Sequence, residues 1–179
     1  PLGSYPGTSL FFPAYMKNTK LRIYGSPNKE SFLAAILQGQ MDINYFPVEM
    51  KALAADLSIT EISEKKIVIG DVTIDWQEQI RHPGGSVRYR LKAHGKNVIY
   101  ATDVELDTIF GKKNDTRQSR ELAREYRKFI HGADLLIADG QYTEKEYPQK
   151  NGWGHTSIPL LIDIAYKEKV RQLAIFHHE

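Results

Sequence analysis

The first half of the chain alternates short β-rich runs with one helical stretch. Residues 21–24 are rich in strand-forming side chains, and the apolar spacing from about residue 29 to residue 38 predicts a helix. Two dense apolar runs, 67–69 and 72–74, then flank Gly70-Asp71, a pair that favours a tight turn. This part of the chain therefore predicts a strand, a helix and a β-hairpin.

The middle of the chain predicts a second hairpin. Residues 87–91 and 97–101 are rich in strand-forming side chains and flank a turn at His94-Gly95-Lys96. Thr102-Asp103 follows the outgoing strand directly. We therefore expect Asp103 to lie at a strand end.

The last third of the chain alternates helices and strands. Residues 119–130 carry apolar side chains at helical spacing with charges between them, and a second helical stripe covers 156–169. Residues 133–139 form a short apolar run typical of a strand covered on both faces by helices. A strand predicted over 170–176 leaves His177 at its tip. This order predicts an α/β fold with helices layered on a sheet.

Composition and charge narrow the class of protein. The 179 residues include 24 basic and 22 acidic side chains, interspersed along the chain, so no basic stripe indicates a nucleic acid partner. The chain has no cysteine, so any metal must be held by histidine or carboxylate. No apolar run approaches the roughly 20 residues that span a bilayer. We expect a soluble, cytoplasmic protein without a membrane partner.

Neither an internal repeat nor a low-complexity linker marks a boundary between domains. We therefore expect a single domain over residues 5–179. Residues 1–4, Pro-Leu-Gly-Ser, resemble the scar of a cleaved affinity tag. The chain stops directly after an apolar strand pattern, an unusual place for a domain to finish, so we expect a trimmed chain.

Three potential metal ligands share one local setting. His82, Asp103 and His177 each fall where a strand meets a loop, and strand ends can converge on one edge of a sheet. Imidazole nitrogens and a carboxylate suit zinc, manganese or iron, and a carboxylate has two oxygens with which to bridge two ions. These residue types fit a dinuclear hydrolase.

The motifs around these residues, taken in order, resemble those of metallo-β-lactamase-fold hydrolases. Residues 81–90, Arg-His-Pro-Gly-Gly-Ser-Val-Arg-Tyr-Arg, resemble the family's third metal motif. Residues 100–103, Tyr-Ala-Thr-Asp, resemble the strand end that supplies the bridging carboxylate, and residues 174–179 resemble the strand that supplies the last histidine. The resemblance runs from about residue 11 to residue 179.

This resemblance implies a fold, a ligand set and a metal. The fold is α/β, a layered αββα sandwich that is incomplete at its N-terminal side. The implied metal ligands are His82, Asp103 and His177, and they would serve two divalent metal ions. We expect zinc, with manganese or iron as alternatives.

A further motif precedes the last predicted helix. Residues 152–157, Gly-Trp-Gly-His-Thr-Ser, resemble the His-Ser-Thr motif of the tRNase Z branch, in which the histidine works beside the metals. The resemblance implies that His155 donates a proton to the leaving group and that Asp139 orients it. The structural alternatives are that His155 precedes a helix N-cap at Thr156 and that Asp103 and Asp139 begin turns.

The remaining histidines and aromatics favour structural roles. His94 lies in a predicted turn, and His131 lies at a predicted helix C-terminus, where a cation complements the helix dipole. His178 should point away from the face that His177 occupies. Large aromatics such as Trp153 are more often part of a core, so we assign it no binding role.

The sequence departs from the family at its strongest signature. A His-x-His-x-Asp-His run, which contributes most ligands of both ions, is absent from these residues. Three explanations remain open: residues missing from this sequence, a truncation, or a natural domain that has lost the chemistry. We favour missing residues, because His82, Asp103, His155 and His177 are all present. Without that run, the chain alone should bind metal weakly.

The leading hypothesis for function is a metal-dependent hydrolase, specifically a phosphodiesterase, that activates water at a dinuclear site. The expected partner is a small phosphodiester or nucleotide substrate, whereas the balanced charge does not indicate a nucleic acid. The rival hypothesis is a non-catalytic domain of the same fold that binds a nucleotide or a partner protein. Nothing in the sequence indicates an oligomeric state.

Overall fold

The computed structural model describes residues 12–26, 33–42, 44, 49–111 and 115–177. The chain divides into two compact units, Pro1–Glu64 and Lys65–Glu179. A single domain over 5–179 stays a prediction, and the tag scar proposed for residues 1–4 lies outside the described residues, as do residues 178 and 179.

The first unit is built on a parallel pair of strands, β1 (Lys20–Gly25) and β2 (Asp56–Glu61), with α1 (Leu33–Gln40) between them in sequence. The Glu61 carboxylate accepts the backbone N–H of Leu33 at 2.6 Å, which satisfies a free amide at the start of α1. The predicted helix is present from residue 33, and its residues 29–32 lie outside the described chain. Strand β2 was not predicted, although its sequence, Asp-Leu-Ser-Ile-Thr-Glu, alternates polar and apolar residues.

The second unit contains a six-stranded sheet whose strands follow one another in chain order. These strands are β3 (Lys66–Ile69), β4 (Val72–Gln79), β5 (Ser86–Ala93), β6 (Lys96–Ala101), β7 (Leu135–Asp139) and β8 (Leu173–Phe176). Strands β3 to β6 pair antiparallel, and β6 to β8 pair parallel. Both predicted hairpins and both predicted C-terminal strands are confirmed.

Among the described residues, four helices accompany this sheet: α2 (Asp107–Phe110), α3 (Arg117–Ile130), α4 (Tyr147–Lys150) and α5 (Ile158–Lys167). Helix α3 begins two residues before its predicted start, because the Thr116 hydroxyl caps it by accepting the Ser119 N–H at 3.1 Å. The one-turn helices α2 and α4 were not predicted. In the described part of the chain, no helix is long and apolar enough to cross a membrane.

The hydrophobic core of the second unit lies between one face of the sheet and helices α3 and α5. Its strand residues are Ile99, Ala101, Leu136 and Ala138, and its largest helix side chains are Tyr126, Phe129, Ile130, Leu161 and Ile164. Side chains alternate along β7, so Leu135 and Ile137 point to the opposite face and are only half-buried. One face of this strand is therefore covered as predicted, and coverage of the opposite face stays a prediction.

Sheet topology places several loops at one edge. Because β6, β7 and β8 are parallel, their carboxyl ends share an edge. Strand β5 runs antiparallel to β6, so the loop that joins β4 to β5 lies at that same edge. Residues 80–85, 102–106, 140–157 and 177 therefore meet there.

The core contains a polar group without a described partner, which generates a stability prediction. The Tyr126 side chain is fully buried, and its hydroxyl has no hydrogen-bond partner among the described residues. Burial raises the pKa of this phenol. Because an unsatisfied buried hydroxyl is costly, Tyr126→Phe should raise the free energy of unfolding by about 1 kcal/mol in urea denaturation.

The matched control for this measurement is Tyr166→Phe, since Tyr166 is 83% exposed. It should change the free energy of unfolding by less than about 0.5 kcal/mol. A loss of stability in Tyr126→Phe would contradict the assignment of an unpartnered hydroxyl.

Candidate metal centre and its supporting loops

The loop that carries His82 is fastened to the loop that carries Asp103. The side-chain amide of Gln79, at the end of β4, donates to the carbonyl oxygen of Thr102 at 2.8 Å and to the hydroxyl of Ser86 at 3.0 Å. The Ser86 hydroxyl in turn donates to the carbonyl oxygen of Asp103 at 2.6 Å. These bonds fix the two candidate ligands relative to each other.

The side chains of His82, Asp103 and His155 form a group that could hold a cation. One potential ligand atom from each lies within 4.8 Å of the other two. The rings of His82 and His155 are 5.3 Å apart between centroids. Nδ1 of His82 is buried and has no hydrogen-bond partner in the described part of the chain. A buried nitrogen without a partner is costly unless a ligand satisfies it.

His177 lies beside this group, directly after β8. Its Nε2 is 2.9 Å from Oδ1 of Asp103, and its ring centroid is 4.3 Å from that of His155. Both Asp103 and His177 have left-handed backbone conformations, with φ of 57° and 66°. Strained backbone of this kind is often found at functional sites. The structure thus brings His82, Asp103 and His177 to one edge, and their role as ligands stays a prediction.

His155 is oriented by a buried carboxylate. Its Nδ1 lies 2.6 Å from Oδ2 of Asp139, the last residue of β7, whose side chain is fully buried. A carboxylate accepts hydrogen bonds, so Nδ1 carries the proton and Nε2 is left for other chemistry. Asp139 also accepts the backbone N–H groups of Val104 and Thr156, each at 3.3 Å.

A second buried carboxylate, that of Glu105, holds the loop before His155. Oε1 of Glu105 accepts the Tyr147 hydroxyl at 2.6 Å and the Gly152 N–H at 2.7 Å, and Oε2 accepts the Gly154 N–H at 3.1 Å. Burial and the hydrogen bond to Glu105 raise the pKa of Tyr147. The sequence did not predict this role of Glu105, because its partners are backbone groups and a tyrosine far along the chain.

Gly154 allows the same loop to approach His82 closely. Its φ is +92°, and a Cβ added there would lie 2.6 Å from Cδ of Pro83 and 2.7 Å from Cδ2 of His82. Any other residue would collide with the candidate ligand as well as strain the backbone. Glycine at this position therefore helps to set the separation of His82 and His155.

A third carboxylate, that of Asp107, holds the start of α5. Asp107 accepts the backbone N–H and the hydroxyl of Ser157 at 2.8 and 2.6 Å, and burial raises the pKa of Asp107. Ser157 is the N-cap residue of α5, so the alternative of Thr156 as the cap is wrong. The Thr156 hydroxyl instead accepts the Leu106 N–H and donates to the carbonyl oxygen of Val104.

The residues present fit a divalent cation. The imidazoles of His82 and His177 and the carboxylate of Asp103 suit zinc, and Nδ1 of His82 is a buried nitrogen that a metal would satisfy. A four-coordinate ion needs four ligands, so His82, Asp103 and His177 leave a position for water or substrate. Two ions would need further ligands, so the dinuclear site stays a prediction.

The fold resembles that of several solved proteins, although no protein-family model and no curated protein sequence matches the chain. YhfI, a metallo-β-lactamase fold protein from Bacillus subtilis, superimposes with a TM-score of 0.60 at 16% identity, over 89% of this chain and 52% of that one. The short form of human tRNase Z superimposes with a TM-score of 0.59 at 13% identity, over 90% of this chain and 61% of that one. A diphosphatase from the PhnP family superimposes with a TM-score of 0.55 at 13% identity, over 89% of this chain and 48% of that one.

These similarities confirm the predicted fold class: the chain has the metallo-β-lactamase fold. It spans about half the length of the first of these solved chains. At such low sequence identity, a shared fold does not by itself transfer an activity.

The buried Glu105 carboxylate generates a testable prediction. Glu105→Gln replaces an acceptor oxygen with an NH₂ group that faces hydrogen-bond donors. The free energy of unfolding should fall by about 2 kcal/mol, because hydrogen bonds to a buried charge are lost. Amide hydrogen exchange at Gly152 and Gly154, measured by NMR, should accelerate.

Glu121→Gln is the control, because Glu121 is exposed and pairs with Arg117 on the surface of α3. Its effect on stability and on the exchange of the two glycine amides should be small. Unchanged exchange at both glycines in Glu105→Gln would contradict the proposed anchoring.

Proposed function

We propose that the protein is a metal-dependent hydrolase that cleaves phosphodiesters. The observation that carries this proposal is the buried pair of His155 and Asp139 beside the group of His82 and Asp103. It unites a candidate cation site with a positioned proton-transfer group, as hydrolysis requires. Solved proteins that share the fold include a tRNase Z and a diphosphatase, which supports this class of chemistry.

In this proposal His82, Asp103 and His177 hold divalent metal, with zinc as the first choice and two ions as the expected number. Bound divalent ions lower the pKa of water and neutralise negative charge on phosphoryl oxygens. The hydrogen bonds from Gln79 and Ser86 hold the ligand loops in register, so little rearrangement is needed when metal binds.

His155 is the proposed proton donor to the leaving oxygen. In its charged form both ring nitrogens carry a proton: Nδ1 donates to Asp139, and Nε2 is available to the leaving group. The hydrogen bond to the Asp139 carboxylate prevents the ring from rotating. With the side chain of His155 only 13% exposed, the proton is transferred in a partly desolvated environment.

We infer a small phosphodiester or a nucleotide as the substrate. The basic and acidic residues are nearly equal in number, 24 against 22, and they are interspersed. A long nucleic acid would favour a basic stripe that follows its phosphates. A small substrate needs contacts at the site alone.

The role of His155 can be tested with protein loaded with zinc or manganese. His155→Ala should lower kcat toward a phosphodiester by about 10²- to 10⁴-fold, the usual contribution of a general acid. Asp139→Asn should lower kcat by about 10- to 100-fold, because the ring loses its orientation. His131→Ala, at the end of α3 and paired with Glu168, should leave kcat unchanged.

If Asp139 acts through His155, the two substitutions should not be additive. The double variant, with Asp139→Asn added to His155→Ala, should have a kcat less than about twofold below that of His155→Ala alone. Full activity in His155→Ala would contradict the proton-donor role. If the protein loaded with zinc or manganese hydrolyses no phosphodiester, the proposal of an enzyme is refuted and the non-catalytic binding domain is favoured.

A further inference from the structure

The large aromatic residue beside the site is exposed, contrary to its predicted core role. Trp153 is 58% exposed, whereas its neighbour Gly154 is buried. The indole faces solvent because the peptide groups on either side of it are turned toward Glu105. The loop is therefore folded so that its backbone faces inward and its aromatic side chain faces outward.

The backbone that carries this indole is held firmly. Glu105 accepts the N–H groups of both flanking glycines, at 2.7 and 3.1 Å, and the Trp153 N–H donates to the carbonyl oxygen of Lys150 at 3.0 Å. The Tyr147 hydroxyl donates a hydrogen bond to the same carboxylate and accepts one from the side-chain amide of Asn151. A loop that is anchored by a buried charge and presents an exposed aromatic ring is suited to ligand recognition. Such a ring contributes little to core packing.

One face of the indole is covered by a cation. Nζ of Lys150 lies 3.9 Å from the Trp153 ring centroid. Trp153 stays 58% exposed beside this positive charge. An aromatic plane next to an ammonium group is the combination that binds a nucleobase and its neighbouring phosphate.

The backbone that carries the indole is also close to the proposed chemistry. Trp153 precedes His155 by two residues, so their Cα atoms are at most about 7.6 Å apart. Gly154, between them, packs against His82 and Pro83. A ligand phosphate bound at His82 and His155 would therefore place an attached group within reach of the indole.

We propose that Trp153 and Lys150 form a nucleobase-binding platform next to the metal centre. This inference rests on the proposed function and narrows its substrate class to phosphodiesters that carry a purine or pyrimidine base. The base stacks on the indole, the Lys150 ammonium contacts a phosphate oxygen, and the scissile phosphate lies at His82 and His155. Alkyl phosphodiesters gain nothing from this platform.

The test compares two monophosphates that differ in the base. Zinc-loaded protein is titrated by calorimetry with AMP and with ribose 5-phosphate, which share the sugar and the phosphate. AMP should bind about tenfold more tightly or better, the advantage that one stacked base provides. Trp153→Ala should remove most of this advantage and leave the affinity for ribose 5-phosphate unchanged, whereas Trp153→Phe should retain much of it.

Tyr166→Ala is the matched control, since Tyr166 is an exposed aromatic on α5, and it should leave the affinity ratio unchanged. Thermal unfolding of each variant verifies that it is folded. Equal affinities for AMP and ribose 5-phosphate, or no binding of either, would overturn the platform, as would an AMP advantage that survives Trp153→Ala.

Binding and hydrolysis separate this inference from the proposal on which it rests. An AMP advantage that depends on Trp153, in loaded protein that cleaves no diester, would refute the hydrolase and leave the platform standing. Diester hydrolysis that does not depend on the base, together with equal affinities for the two monophosphates, would refute the platform alone.

Discussion

A carboxylate can be buried at a tolerable free-energy cost only when hydrogen bonds replace its hydration, and this constraint organises the site edge of the second unit. Asp139 and Glu105 are fully or almost fully buried, and Asp107 is partly buried. All three accept hydrogen bonds from residues 152–157. The segment that carries His155 is therefore held in place because its donors replace water around three carboxylates that are partly or fully buried.

The chemistry of the site follows from that placement. Once Asp139 holds Nδ1 of His155 and Gly154 packs against His82, the ring approaches His82 and Asp103 with Nε2 free of the Asp139 bond. The same folding of the loop exposes Trp153, because its flanking amides are turned toward Glu105. Candidate ligand, proton donor and aromatic platform are thus positioned by one set of buried acceptors.

Much of this arrangement could be predicted from local patterns, and the remainder depends on contacts between distant residues. Helix α3 and both hairpins follow from periodicity and turn residues, and the motifs around His82, Asp103 and His177 indicated the edge where they meet. Glu105 could not be recognised, because its acceptor role depends on glycine amides 47 and 49 residues away. The N-cap of α5 was wrongly assigned for a similar reason, since Ser157 is held by Asp107, 50 residues earlier. The exposure of Trp153 has the same origin.

The proposed mechanism depends on His82, Asp103 and His177 binding a divalent cation beside the proton donor His155. The decisive measurement is a calorimetric titration of the metal-free protein with zinc, in which His82→Ala is the test variant. His94→Ala is the control, because the His94 ring lies in a hairpin turn and pairs with Asp71. We expect that zinc binds, that His82→Ala weakens binding at least about tenfold, and that His94→Ala does not. Absence of zinc binding, or equal affinity in His82→Ala and the unaltered protein, would contradict this expectation.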